Sequence, residues 1–251
     1  MNILKEKRYK EYFVSAIGEM ILIIIGILVA FQIDNWNEYR KERKSERLIL
    51  LEIHDNLKYD LMDFESNINH LQNLRKSSKS LLKVLNDDTP YNDSLGYFFS
   101  YLKAFPHFSC KTNGYSLLQS KGAEIILNDT LRNYITALYE DHYKYILTLE
   151  KERIDYHSTL LANAMKPYNG IHSLPIDALP KSLEMKGSVK TLLDLGFGLD
   201  IRNYDLLKKD EDFKSMLKDV ELWSSVVLFL HTSIKNNIAH LIIRLELELE
   251  D

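Results

Sequence analysis

From Tyr12 to Ile33 the chain reads YFVSAIGEMILIIIGILVAFQI, an apolar run with one ionisable side chain, Glu19. That length matches the roughly 20 residues that cross a hydrocarbon core about 30 Å thick, and it predicts a transmembrane helix over 12–33. Residues 1–11 form a basic flank, and Tyr12, Trp36 and Tyr39 are placed as anchors at the two headgroup levels. Beyond Ile33 the pattern changes. There is no Pro or Gly before Asn86, and Leu50, Ile53, Leu57, Leu61, Phe64, Ile68, Leu71, Leu74, Ser78, Leu82 and Leu85 recur in steps of three and four. Such spacing predicts a helix with one buried stripe. The intervening residues 34–47 mix charges without a stripe and read as a solvated helical stalk. Nothing between Gln32 and Trp36 stops a helix, so span and stalk are expected to run on as one rod to residue 86. At 1.5 Å per residue that rod is about 110 Å long.

Two further striped segments complete the pattern. Asp87-Asp88-Thr89-Pro90 closes the first helix, a short segment covers 95–105, and a short helix over Tyr115–Ser120 ends at Gly122. Asn128 is a cap for a long helix with Leu131, Ile135, Leu138, His142, Tyr145, Leu149, Tyr156 and Leu160 on its inner face. Residues 167–205 are expected to be a loop-rich insert, with Gly196-Phe197-Gly198 as a turn. A last helix, about 212–249, carries Phe213, Met216, Val220, Trp223, Val227, Leu230, Ile234, Leu241 and Leu245, close to a seven-residue repeat. Three striped helices must bury their faces against one another, so the expected class is all-α: a transmembrane helix, a long stalk, and an antiparallel bundle over 48–251 with coiled-coil-like packing.

Composition narrows the chemistry. The 32 Lys+Arg against 36 Asp+Glu give a net charge of −4, which argues against a nucleic-acid partner. A single cysteine, Cys110, supports neither an intramolecular disulfide nor a cysteine-based zinc site. The chain carries no HExxH, Walker A, GxSxG or GxGxxG motif, and no Glu-x-x-His pair of the di-iron bundles. His107, Cys110 and His142 are the one set that could meet as a Cys/His or metal site, but no orienting carboxylate can be placed beside them. Asp141 points away from its neighbour His142 on a helix. His231 and His240 read as amphipathic filler on the last helix. No catalytic residue, cofactor or metal site is expected.

Glu19 alone calls for a chemical explanation, because a carboxyl inside a span costs a few kcal/mol unless it is protonated, paired or turned to a polar surface. Ser15, Glu19, Leu22, Gly26 and Ala30 share a face, with Gly18 beside it, and Gly26-x-x-x-Ala30 is a small-xxx-small pair. This face is the candidate site, a surface for helix association within the membrane. The alternative is that Glu19 snorkels to the nearer headgroups.

The stretch AIGEMILIIIGILVAFQIDNWNE, Ala16 to Glu38, with Gly18, Glu19, Gly26, Ala30, Gln32, Asn35, Trp36, Asn37 and Glu38, resembles the N-terminal signature of a family of single-span bacterial membrane proteins known as a domain of unknown function. A second stretch, Tyr115 to Gly122 with Ile125-Ile126, Leu131-Arg132-Asn133 and Tyr139, is similar to that family's internal motif. The resemblance implies an anchored helical protein, and it brings no activity, ligand or catalytic residue with it.

The function expected is therefore non-catalytic: a membrane-anchored interaction or scaffold module, its partners the bilayer and a second copy or another membrane protein. The competing reading is an extracytoplasmic ligand sensor or transport accessory subunit. Lys5, Lys7, Arg8 and Lys10 precede the span and Arg40, Lys41, Arg43, Lys44 and Arg47 come after it. Lys10 lies closest to the apolar run, so the N-terminus is assigned to the cytoplasm and the bundle to the periplasmic side of an inner membrane.

Overall fold

The computed structural model describes residues 3–92, 94–103, 105–170 and 200–250, with the side chains of 3–17, Ser94 and Asp200 outside the described set. Its first element, α1, is one unbroken helix, Ile3–Asn86. No residue from Gly18 to Glu42 of α1 is buried, and from Glu46 onward its inner stripe disappears into a core. Leu50, Ile53, Leu57, Phe64, Leu71, Leu74, Ser78 and Leu85 of the expected stripe are buried, Leu61 and Leu82 pack at its margin, and Ile68 is half-buried.

Three short helices come after α1: α2 (Ser94–Tyr101), α3 (Asn113–Lys121) and α4 (Asp129–Ala137). A π-helical turn, Leu138–Tyr143, leads into α5 (Lys144–Tyr156), and a second, His157–Leu161, into α6 (Ala162–Met165). Strands β1 (Asn169–Gly170) and β2 (Asp200–Ile201) pair antiparallel, Asn169 opposite Ile201 and Gly170 opposite Asp200. The expected turn at Gly196-Phe197-Gly198 lies outside the described residues. After α7 (Tyr204–Leu207) the chain enters α8 (Glu211–Glu250).

α8 lies antiparallel against α1. Arg47 donates to the Leu249 carbonyl at 2.7 Å, His54 Nε2 is 3.2 Å from Glu246 Oε1, and Lys235 pairs with Glu65 at 2.9 Å. In each pair the two residue numbers add to about 300, which is the signature of a straight antiparallel register. Phe213, Val220, Val227, Ile234, Leu241 and Leu245 of the expected stripe are buried, but Met216, Trp223 and Leu230 are only half-buried, and Leu217, Ser224 and His231, each one residue further on, fill the core with Ile238 instead. Together the buried residues are the alternating core positions of a coiled-coil seam.

Gly114 lets α3 sit directly on α1, since a Cβ there would fall 2.6 Å from the Ile53 backbone nitrogen. Gly122, at φ +93°, ends α3 in a conformation that L side chains rarely adopt, and its amide donates to the Leu118 carbonyl. The Asn128 side chain accepts from the Leu131 amide at 3.1 Å and starts α4.

One expected stripe needs correction. Leu131, Ile135 and Leu138 are buried, but His142, Tyr145 and Leu160 are exposed, and Tyr139, Tyr143, Ile146, His157 and Leu161 occupy the core instead. Each π turn inserts one extra residue and rotates the helix beyond it by about 100°, so a pattern of constant 3.6 period loses register twice.

Candidate functional site

Two features stand out: the uncovered segment of α1, and a network of buried carboxylates over the loop between α2 and α3. Along α1 from Met20 to Tyr39 the large apolar side chains are exposed on every side of the helix. A helix that is apolar all round is stable only when something covers it. Of the described helices, two are long and apolar enough to cross a membrane. The window in α1 has a mean hydropathy of 1.7 with none of it buried, while that in α8 has 1.3 and is one-third buried as part of the core. Trp36 carries the Arg40 guanidinium 5.5 Å above its ring and Tyr39 carries Arg43 at 5.4 Å, so aromatic bodies and cationic tips mark where the apolar segment ends.

Gly18, Glu19, Leu22, Gly26 and Ala30 are all exposed, and no atom lies within 4 Å of a Cβ built on either glycine. The Tyr12 and Ser15 side chains lie outside the described residues.

Sequence spacing gives no sign of the carboxylate network. Three acids accept amide protons from the loop that leads to α3: Glu150 Oε2 from Phe108 N–H at 2.7 Å, Asp63 Oδ2 from Ser109 at 2.9 Å, and Asp60 Oδ1 from Lys111 at 2.9 Å. Asn67 adds a bond to the His107 carbonyl at 3.0 Å, and the Tyr143 hydroxyl donates to Asp60 Oδ2 at 2.8 Å. Phe108 seats between Phe64 and Tyr143, with ring centroids 4.3 and 4.7 Å away. The other oxygen of Glu150 lies 2.6 Å from His231 Nε2, and both side chains are almost fully enclosed. His231 Nδ1 has no hydrogen-bond partner, so the tautomer protonated at Nε2 leaves no N–H unpaired. His231 is thus a core residue tying α8 to α5, not amphipathic filler.

Electrostatics track burial. Desolvation pushes the Asp60 carboxyl up to about 6, outweighing the Lys111 amide and Tyr143 hydroxyl that favour its charged form. Burial and the Asp60 charge push the Cys110 thiol up to about 12, which leaves it protonated and a poor nucleophile at neutral pH. The Tyr139 and Tyr143 phenols are raised by the same causes. His107, Cys110 and His142 do not converge: His142 lies on the wall facing α8, and no group of three His, Cys, Asp or Glu among the described residues is placed to hold a metal ion.

These features define an all-α bundle carried on a helix whose first half is an uncovered apolar segment. The chain belongs to the DUF6090 family, a family of unknown function, whose profile matches residues 19–166. The match begins at Glu19 and takes in the exposed part of α1, the clamped loop and the first π turn. Comparison with curated proteins and with solved structures returns no match.

Proposed function

We propose that this protein is a single-pass anchor of a bacterial inner membrane that presents its helical bundle, without catalysis of its own, as an interaction or scaffold module on the periplasmic side. The continuity of α1 carries the reading: one helix is bare from Gly18 to Glu42 and supplies the core wall of the bundle from Glu46 to Leu85. Any force or partner acting on the span is transmitted to the bundle without a hinge. The exposed face at Glu19, Leu22, Gly26 and Ala30 supports association with a second copy through the membrane, since no other part of the chain packs against Gly26. Close approach at Gly26 gains packing, and a polar contact from Glu19 adds about 0.6–2 kcal/mol.

Cysteine crosslinking in native membranes at Leu22→Cys and Ala30→Cys tests this. Crosslinked dimer is expected in the otherwise unaltered chain and reduced by Gly26→Leu and by Glu19→Ala; equal yields in all three would make the span an inert anchor. A C-terminal alkaline phosphatase fusion that is active, beside an inactive cytoplasmic reporter, is the outcome expected for a periplasmic bundle. A ligand sensor or transport accessory subunit is the second reading, favoured by one groove on the bundle.

A further inference from the structure

Where the first π turn passes α8, the two walls part to leave a groove of about 410 Å³. Leu138 and Leu241, both buried, floor it. Its polar groups are Tyr134 and His142 from one wall and Asn237, His240 and Arg244 from the other. The volume falls in the range of small-molecule sites, and the mixture of an apolar floor with a few convergent polar groups is their usual composition.

The charge at this groove is of one sign. No carboxylate lines it, and the nearby acids are engaged elsewhere: Glu248 with Asn128, Glu246 with His54 and Lys58, Glu140 with Tyr115, Gln119 and Lys144, and Asp129 with Arg132. Asp141 is exposed and, as the neighbour of His142 along the helix, projects from a different side. Among the described residues, Arg244 has no ion pair. Its guanidinium lies over the Tyr134 ring, 4.6 Å from the centroid. The contact with the ring holds the guanidinium in place while its N–H groups stay without an ion-pair partner, and a free guanidinium fork recognises a planar oxyanion through two parallel hydrogen bonds. The side chains of Tyr134, His142, Asn237 and His240 likewise make no hydrogen bond among the described residues.

The π turn is what brings His142 here. In an unbroken helix His142 continues the stripe of Leu131, Ile135 and Leu138 into the core; the inserted residue sends Tyr143 inward and turns His142 to the groove. π turns recur at functional sites because they re-aim side chains in this way.

We infer that the groove between the first π turn and α8 binds a small organic oxyanion, its carboxylate or phosphate held by Arg244, His142, His240 and Asn237 and its apolar part resting on Leu138 and Leu241. The ligand is free in solution and not a lipid headgroup. Register with α1 sets Asn237 to Arg244 opposite residues near 60, about 27 residues beyond Ile33 and so about 40 Å along the rod from the end of the apolar segment. The site gives the sensor reading a chemical address and does not depend on whether the span self-associates.

Calorimetric titration of the full-length chain in detergent micelles, with inorganic phosphate and with butyrate as separate probes in chloride buffer of matched ionic strength, tests the assignment. Saturable binding of at least one probe at one site per chain is expected, and which probe binds tells phosphate from carboxylate recognition. Arg244→Gln should weaken it at least tenfold. Arg244→Lys, which keeps the charge and loses the fork, and His240→Gln should each weaken it less, and Lys79→Gln, remote on α1, should leave it unchanged. Melting by circular dichroism in chloride confirms that each variant is folded, and His240→Gln carries the test if Arg244→Gln is not. Absence of saturable binding for both probes, or equal affinity in wild type and the folded groove variants, overturns the proposal.

Discussion

Glu150 joins its own helix to the loop before α3 and to α8, since its two oxygens accept from the Phe108 amide and from His231 in an enclosed site. Removing one partner of a buried pair costs more than replacing both with apolar groups, because the survivor loses its hydrogen bond and cannot regain water. Glu150→Ala should therefore cost about 3–5 kcal/mol in urea melts. The Glu150→Leu/His231→Leu double variant, which still leaves the Phe108 amide without its acceptor, should cost less than the Glu150→Leu and His231→Leu single variants added together, and a double-mutant cycle of those three would show this as a coupling energy. Asp60 predicts a pH dependence. Its folded pKa of about 6 lies above the ordinary value of 3.8, so the folded state holds the proton more tightly. The resulting stabilisation is fully present below pH 3.8 and is lost as pH rises through 6. His157, whose pKa burial lowers, changes stability in the opposite direction, so the Asp60 contribution is read as a difference: between about pH 4 and about pH 7 the urea midpoint of wild type should fall relative to that of Asp60→Asn.

Among the elements, α3 and the first π turn are the most sharply determined. Gly114 sits against the backbone of α1, and a methyl group there must push α3 away from Ile53. Gly114→Ala is expected to cost about 1–3 kcal/mol through overpacking, read as a lowered thermal midpoint with helical content retained. The π turn has the opposite character, an extra residue that holds a register. Deleting the exposed Asp141 should convert Leu138–Tyr143 to ordinary helix and bring Tyr143, Ile146 and Glu150 into phase with Leu131, Ile135 and Leu138. Glu150 then still meets His231, and cooperative melting should be retained; its loss would show that the π turn itself is needed.

For the molecule as a whole, the boundary between stalk and bundle falls at Glu46. Its carboxylate accepts from the Leu127 amide at 2.8 Å and pairs with Arg43, which itself donates to the Ile125 carbonyl at 3.0 Å. These contacts tie the segment between α3 and α4 to the base of α1. A fragment beginning at residue 43 should fold as a soluble helical bundle, because its stripes are complementary to one another and not to lipid. A fragment beginning at residue 48 should be less stable by about 1–3 kcal/mol, the cost of leaving a partly buried amide unsatisfied. Equal melting of the two would move the boundary back to residue 48, where the hydrophobic pattern alone puts it.

The amphipathic pattern determined the all-α class, the unbroken α1, most of the stripes of α1 and α8, and the caps at Asn128 and Gly122, because each arises from spacing and turn chemistry within a few residues. It also placed Glu19, Gly26 and Ala30 on one face, since any helix fixes that. The π turns were not legible: an inserted residue leaves no local mark, and its only trace is that Tyr139, Tyr143, Ile146 and Glu150 make a second stripe one residue out of step with Leu131, Ile135 and Leu138. Nor was the partnership of Glu150 with His231, 81 residues apart, or the convergence of His142, His240 and Arg244 on one groove. Such polar contacts are made across helices, where packing decides which side chains lose water and which find a partner. Hydrophobic periodicity is a local property of the chain; which polar groups are enclosed together is a property of the assembled bundle alone.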